Sequence, residues 1–441
     1  MKRPSLSKGS VRGSVLMVTL FLLSLMGFFL YAYLYTARTQ RSLVARSQGW
    51  NAALGLAEAG IEEALGQVNP GAPVPMVDRS ANGWGAAVGG FYGPMSRSLS
   101  NGTYSVVISA DPFPILYATG YVAVPSIPAN LVRVVRVTTT NAPLFSAVLA
   151  AKYNINLGGN SMFTDSFNSL LASESDNGRY PVNDLSKTST NGDVASFEGL
   201  VNVANTTING QLLLGPTASD SISANGKITG GITNDFNYEF EDVVMPQTNW
   251  LPPITTNMQI VSAISTNTYA TNTYQYVFGP GGSYPNNGGY YTVSGLVGSI
   301  YVSNVNVTLK LTGNAAPTQI WLDGPGTNAG NLTIYMDGPS FTIGGSSSVD
   351  FYSGNAANLS YYGTTNNTQI TFGGNAAFTG TIYAPEADFK LNGGGSSIYD
   401  FVGAAVLKSV NMNGHFNFHY DEALATNGPK RGFIPNSWRE L

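Results

Sequence analysis

Five aspartates stand where a stacked-strand architecture could bring them together: Asp323, Asp337, Asp350, Asp388 and Asp400. Cleavage of a glycosidic bond usually needs two carboxyl groups facing one groove. Asp323 and Asp337, however, are each followed directly by Gly-Pro, which is turn chemistry. A β-elimination site would add a base beside an acidic, metal-binding cluster. Lys310, Lys390 and Lys408 are scattered, with no such cluster around them. These aspartates read as turn and surface residues.

The two histidines, His415 and His419, invite a metal test. On a strand, His415, Asn417 and His419 share one face and Phe416, Phe418 and Tyr420 the other. That pattern predicts a last strand with an aromatic inner face and a polar outer face. Residues i and i+4 of a strand lie roughly 13 Å apart at about 3.3 Å per residue, too far to share one ion directly. No cysteine occurs in 441 residues, so neither a thiolate metal site nor a disulfide framework is available. The prediction is no catalytic, metal or cofactor-binding residue, and no enzyme.

Charge divides along the chain. Residues 1–140 hold 11 basic and 5 acidic side chains, a balance of +6; residues 141–441 hold 10 and 20, a balance of −10. An acidic body with its basic residues near the N-terminus lacks the basic footprint of a nucleic-acid binder, so nucleic acid is excluded as a partner.

The elements that would carry any such chemistry begin with a membrane-length segment. Gly13 to Ala37 has no charged residue, and a basic leader, residues 1–13, precedes it. The apolar run from Val15 to Tyr35 suffices to cross a bilayer as a helix, because about 20 apolar residues span the hydrocarbon. A cleaved secretory signal would have a shorter core and a small-residue exit, whereas Tyr33 to Ala37 is bulky. A plain signal anchor is one reading; a longer helix is the other. No proline interrupts the chain from Ser42 to Val68, and Trp50, Leu54, Ala57, Ile61 and Leu65 recur at steps of four, three, four and four. That is one face of an amphipathic helix, stopped by Asn69-Pro70. A helix over residues 14–68 would be roughly 80 Å long at about 1.5 Å per residue.

Arg12-Gly13-Ser14-Val15-Leu16-Met17-Val18, the apolar run, and the segment from Leu56 to Leu65 resemble the N-terminal region of PilX-type pilin-like proteins. The resemblance implies that a prepilin peptidase cuts after Gly13 and leaves Ser14 as the mature N-terminus. It implies a single-pass protein of the bacterial inner membrane, with its large domain exported to the periplasm or cell surface. It also implies other pilin-like subunits as partners, with Trp50, Leu54, Ala57, Ile61 and Leu65 as the helix-packing face. Val18 stands where major pilins carry a glutamate.

Residues 69–142 are expected to form a small pilin-like β unit. Residues 69–100 read as a loop-rich link, followed by strands at Thr103 to Ser109, Ile115 to Val124 and Leu131 to Thr139. Residues 143–425 change texture: strands of three to six residues return every 7 to 12 positions between Asn, Gly and Ser. This spacing suits a solenoid or a β-sandwich. Recurring asparagines favour a right-handed parallel β-helix, in which stacked turns align them. The run from Phe378 to Pro385, with Gly403-Ala404-Ala405 and Asn413 through Leu424, resembles the β-helical passenger found behind PilX-type N-termini. Asp165 to Ser169 resembles that family's opening turn. The fold class is therefore mainly β behind a transmembrane and amphipathic helix. Phe236 to Thr256 reads as a long connector. Tyr269, Tyr274, Tyr276, Tyr284, Tyr290, Tyr291 and Tyr301 form an aromatic region that either covers the solenoid or offers a surface glycan a docking face. Residues 426–441 are expected to be a loose tail or a cap over the final coil.

Overall fold

The computed structural model describes residues 12–69, 79–125, 129–246, 248–254, 261–262, 273–279, 289–322, 330–344, 348–349, 354–374, 376–393 and 399–441. Most of the basic leader, Asp323 and Asp350 among the candidate carboxylates, and Tyr269 and Tyr284 lie outside the described residues. The chain is mainly β with an N-terminal apolar helix, and it divides into two units.

The first unit comprises residues 1–68, 77–140 and 433–441. Helix α1, Arg12–Val68, is continuous over 57 residues. From Val15 to Tyr35 it is apolar on every side and exposed. Its C-terminal half presents Ala53, Ala57, Gly60 and Ala64 to an antiparallel sheet, and these small residues let the two backbones approach closely. The tightest point is Gly120, where an added Cβ would lie 2.0 Å from the Ala53 carbonyl oxygen. Leu56, Ile61 and Val68 flank the seam and bury against Val106, Leu116 and Val135.

The sheet order is β1 (Phe91–Leu99), β2 (Gly102–Ser109), β3 (Ile115–Val122), β4 (Leu131–Pro143) and the C-terminal strand Lys430–Glu440. Three of these match the expected strands. The first falls within the expected link and the fifth within the expected tail, so the tail is neither loose nor a cap. Both strands are largely exposed, so no apolar alternation marked them in the sequence. The last strand packs Phe433 against the core and is otherwise held by an ion pair and hydrogen bonds. Arg133 pairs with Glu440, the Thr138 and Ser437 hydroxyls lie 2.5 Å apart, and the Leu441 amide donates to the Val134 carbonyl at 3.0 Å.

The second unit, residues 69–76 and 141–432, is built from parallel ladders. A β-sandwich, the alternative architecture, would call for antiparallel sheets. Strands β5 (Leu149–Ala151) and β6 (Ile155–Phe167) begin it but lie inside the stack rather than at its end. On one side they pair with β7 (Val194–Ser196) and β8 (Leu200–Ile208), which lead through β9 (Leu212–Leu214) to Ile232–Thr233. On the other side Ala405 to Leu407 pair with Leu149 to Ala151, and Phe418 to Asp421 pair with Thr164 to Phe167. The intervening chain restarts at Leu251–Ile254. It then proceeds through Gly289–Val293, Asn306–Leu311, Asn331–Met336, Leu359–Gly363, Ala377–Gly393 and Tyr399–Met412 to that seam.

In-register pairing stacks like residues. Phe378, Phe401 and Phe418 form one inner column, with neighbouring ring centroids 5.0 and 5.3 Å apart. Asn411, Asn156 and Asn202 form another, linked by side-chain hydrogen bonds of 3.0 and 2.9 Å. The expected asparagine alignment is therefore present at these positions. The expected connector runs between the two arcs and is tied down by aromatic residues. The Tyr238 hydroxyl donates to the Leu144 carbonyl at 2.7 Å, Tyr383 donates to that of Glu241 at 2.8 Å, and Trp250 lies against Tyr290 and Tyr335. Packing of this kind pushes the Tyr335 hydroxyl up to about 12 by burial and the charge of Tyr290.

Candidate functional site

Two places concern function: the helix face singled out in the sequence and a cleft on the second unit. Gly13 and Ser14 stand in the first turn of α1. Of the expected helix-packing face, Ala57 and Ile61 are buried, Leu54 and Leu65 are partly buried, and Trp50 remains 41% exposed beneath the Arg133 guanidinium, 4.7 Å from its ring. This face was expected to meet helices of other subunits; the structure turns its centre onto the sheet of the same unit. An amphipathic stripe must bury its apolar side, and the sheet that follows directly in sequence supplies the surface. The apolar surface left exposed lies further back, from Val15 to Tyr35 with Leu43 and Val44.

Among the described residues, the tyrosine-rich region does not form an exposed aromatic surface. Tyr274, Tyr276, Tyr291 and Tyr301 are buried, and Tyr290 is the exposed member among those described.

The cleft is assembled on the last coils. After β6 the chain leaves the stack as an excursion over residues 168–193 and folds back on the outer face of Phe416–Asp421. Several hydrogen bonds pin it there. The Ser169 amide donates to Asp421 Oδ1 at 3.0 Å, while Ser166 Oγ and Asn191 Nδ2 donate to Glu422 Oε1 at 2.7 and 2.8 Å. Tyr180 of the excursion stacks on the His419 ring, with centroids 3.6 Å apart.

His419 is thus covered although it sits on the side expected to be outermost. Its Nδ1 lies 2.5 Å from Asp165 Oδ1 and its Nε2 lies 3.3 Å from Asp400 Oδ1. The Tyr180 hydroxyl donates to Asp165 Oδ2 at 2.7 Å. Burial alone would push the imidazole down. Hydrogen bonds to Asp165 and Asp400, and the charges of both, outweigh it and raise the pKa above the ordinary histidine value. Tyr180 is raised as well, first by burial and then by the neighbouring Asp165 charge. A protonated His419 between two carboxylates satisfies buried Asp165 and partly exposed Asp400 at once, because each ring nitrogen then has a proton to donate.

Asp400 is the member of this cluster that reaches the surface, with its side chain 38% exposed. It faces a cleft of about 370 Å³ together with Asp176, Arg179, Tyr180, Val182 and Phe378. Gly354, at φ +62°, forms part of its wall, and the stem of Arg179 lies flat over it, where an added Cβ would come 2.4 Å from Cγ. The other described aspartates keep structural partners. Asp337 accepts from Thr364 and Asn366 and faces Lys310 at 3.6 Å, and Asp388 accepts from Ser409 at 2.6 Å. Among the described residues no group of three or more His, Asp or Glu is arranged to hold a metal ion. Sequence reasoning found Asp400 and His419 separately. It missed Tyr180 and Arg179, whose only signal is that the Asp165 turn opens a segment lacking the strand rhythm of its neighbours.

Residues 257–427 match a family model described as a domain of unknown function (DUF7305). No curated protein matches the chain. Among solved structures, the competence-associated pilin ComZ from Thermus thermophilus aligns with 89% of this chain and 97% of its own, at 10% identity and a TM-score of 0.28. The stretch matched by the family model holds Asp400 and His419, whereas Asp165 and Tyr180 lie upstream of it.

Proposed function

We propose that the chain is a non-catalytic, single-span, pilin-like surface protein, acting as a minor subunit or assembly factor of a type IV pilus or related pseudopilus. The observation that carries this reading is the division of α1. One continuous helix is exposed and apolar from Val15 to Tyr35, then becomes the spine of a small antiparallel sheet. Water does not tolerate such a surface on an isolated helix, whereas lipid or a bundle of like helices does. The PilX-type resemblance of residues 12–65 supports the same reading.

In this proposal prepilin peptidase cuts between Gly13 and Ser14, and the apolar half inserts in the bacterial inner membrane. Packing with other pilin-like subunits runs through Val15–Val44, because Ala57 and Ile61 are already occupied by the chain's own sheet. The parallel-stranded body, read here as a right-handed β-helix, is displayed outside the cytoplasm.

Fractionation tests the anchor. The full chain is expected in carbonate-washed membranes, and a chain lacking residues 1–36 in the soluble fraction; recovery of the full chain as a salt-washed soluble protein would refute the proposal. N-terminal sequencing then reads processing, with Ser14 as the expected first residue.

A further inference from the structure

We infer that the cleft beside Asp400 binds one or two units of a neutral glycan. Its volume of about 370 Å³ is of the size that encloses a small ligand. The lining mixes apolar surface from Val182 and Ala377 with acceptors on Asp176 and Asp400 and a donor on Arg179. A sugar ring presents the same mixture, with C–H faces and a rim of hydroxyls that both donate and accept.

The acceptor at the centre is preorganised. Asp400 is held by His419, which is held in turn by Asp165 and covered by Tyr180, so its carboxylate does not have to be ordered when a ligand arrives. Rigid support behind one partly exposed carboxylate is unneeded for a turn residue and useful for a binding one.

Charge and backbone pairing narrow the class. Two aspartates and one arginine on the lining give a formal −1, which disfavours polyanions, while Arg179 opposes an ammonium group. An extended peptide would want a free sheet edge. Here Phe378 pairs with Val349 and Phe401, and the strand carrying Asp400 pairs with those on both of its sides. This inference stands apart from the anchoring proposal, since binding is read whether or not the chain enters a pilus.

The test uses the full chain in detergent micelles against an array of neutral gluco-, galacto- and manno-configured oligosaccharides, with polygalacturonate and oligolysine as charged counter-probes. Saturable binding of a neutral oligosaccharide is expected with a Kd of about 1 mM or tighter. Asp400→Asn should weaken it about ten-fold or more, as expected for loss of a hydrogen bond to a charged group. Val182→Arg, at a rim position 63% exposed, should block the cleft without touching the buried cluster. Val182→Arg leaves the cluster intact and is expected to melt like the parent, so it keeps the test falsifiable even where Asp400→Asn loosens the cluster. The inference is overturned if no neutral oligosaccharide binds, if both variants bind like the parent, or if a charged counter-probe alone binds.

Discussion

His419 sits between Asp165 and Asp400 under the Tyr180 ring, and the four residues come from three strands and the excursion. Removing one member leaves a buried charge without its partner. His419→Gln or Asp165→Asn should therefore destabilise the second unit by about 3–5 kcal/mol, readable by denaturant unfolding. The pH dependence has a definite sign. Because the imidazole pKa is raised on folding, its contribution is fully present below the ordinary value of about 6.5 and is lost as pH rises through the folded-state value. The stability advantage of the parent over His419→Gln should accordingly shrink as the pH is raised above neutrality; an advantage that grew instead would contradict a protonated histidine.

Where elements meet, the seam between α1 and β3 depends on absent side chains. Gly120→Ala places a methyl against the Ala53 carbonyl and should cost about 1–3 kcal/mol, seen as faster amide exchange in β2 and β3. The connector depends on tyrosine hydroxyls. Tyr383→Phe deletes the bond to the Glu241 carbonyl and should cost about 1 kcal/mol, with quicker proteolysis around residue 241 as the readout.

Across the whole chain, β5 and β6 lie at the junction of two arcs whose strands come from opposite ends of the second unit's sequence. Their pairing closes loops of about 250 residues, so it carries a large entropic cost of closure. A polar substitution there damages both arcs. Ala150→Asp, at a position 3% exposed, should abolish accumulation of protease-resistant folded chain, whereas Ile232→Asp, 42% exposed in the end coil, should be tolerated.

Local chemistry determined the helix, because its charge-free run, missing prolines and apolar spacing act within a few turns. The same holds for the middle three strands of the sheet, whose alternation shows which side is buried. Side alternation also put His419 opposite the aromatic core of the last coil. What covers that side, Tyr180, lies 239 residues away in sequence from His419, and no local pattern encodes it. Only the tertiary structure decided that the Ala57–Ile61 face meets its own sheet, that the exposed C-terminal segment becomes a strand through pairing, and that Asp165, Asp400 and His419 share one hydrogen-bonded cluster. Each of these rests on backbone pairing or long-range packing, in which the partner rather than the residue's own neighbours sets the outcome.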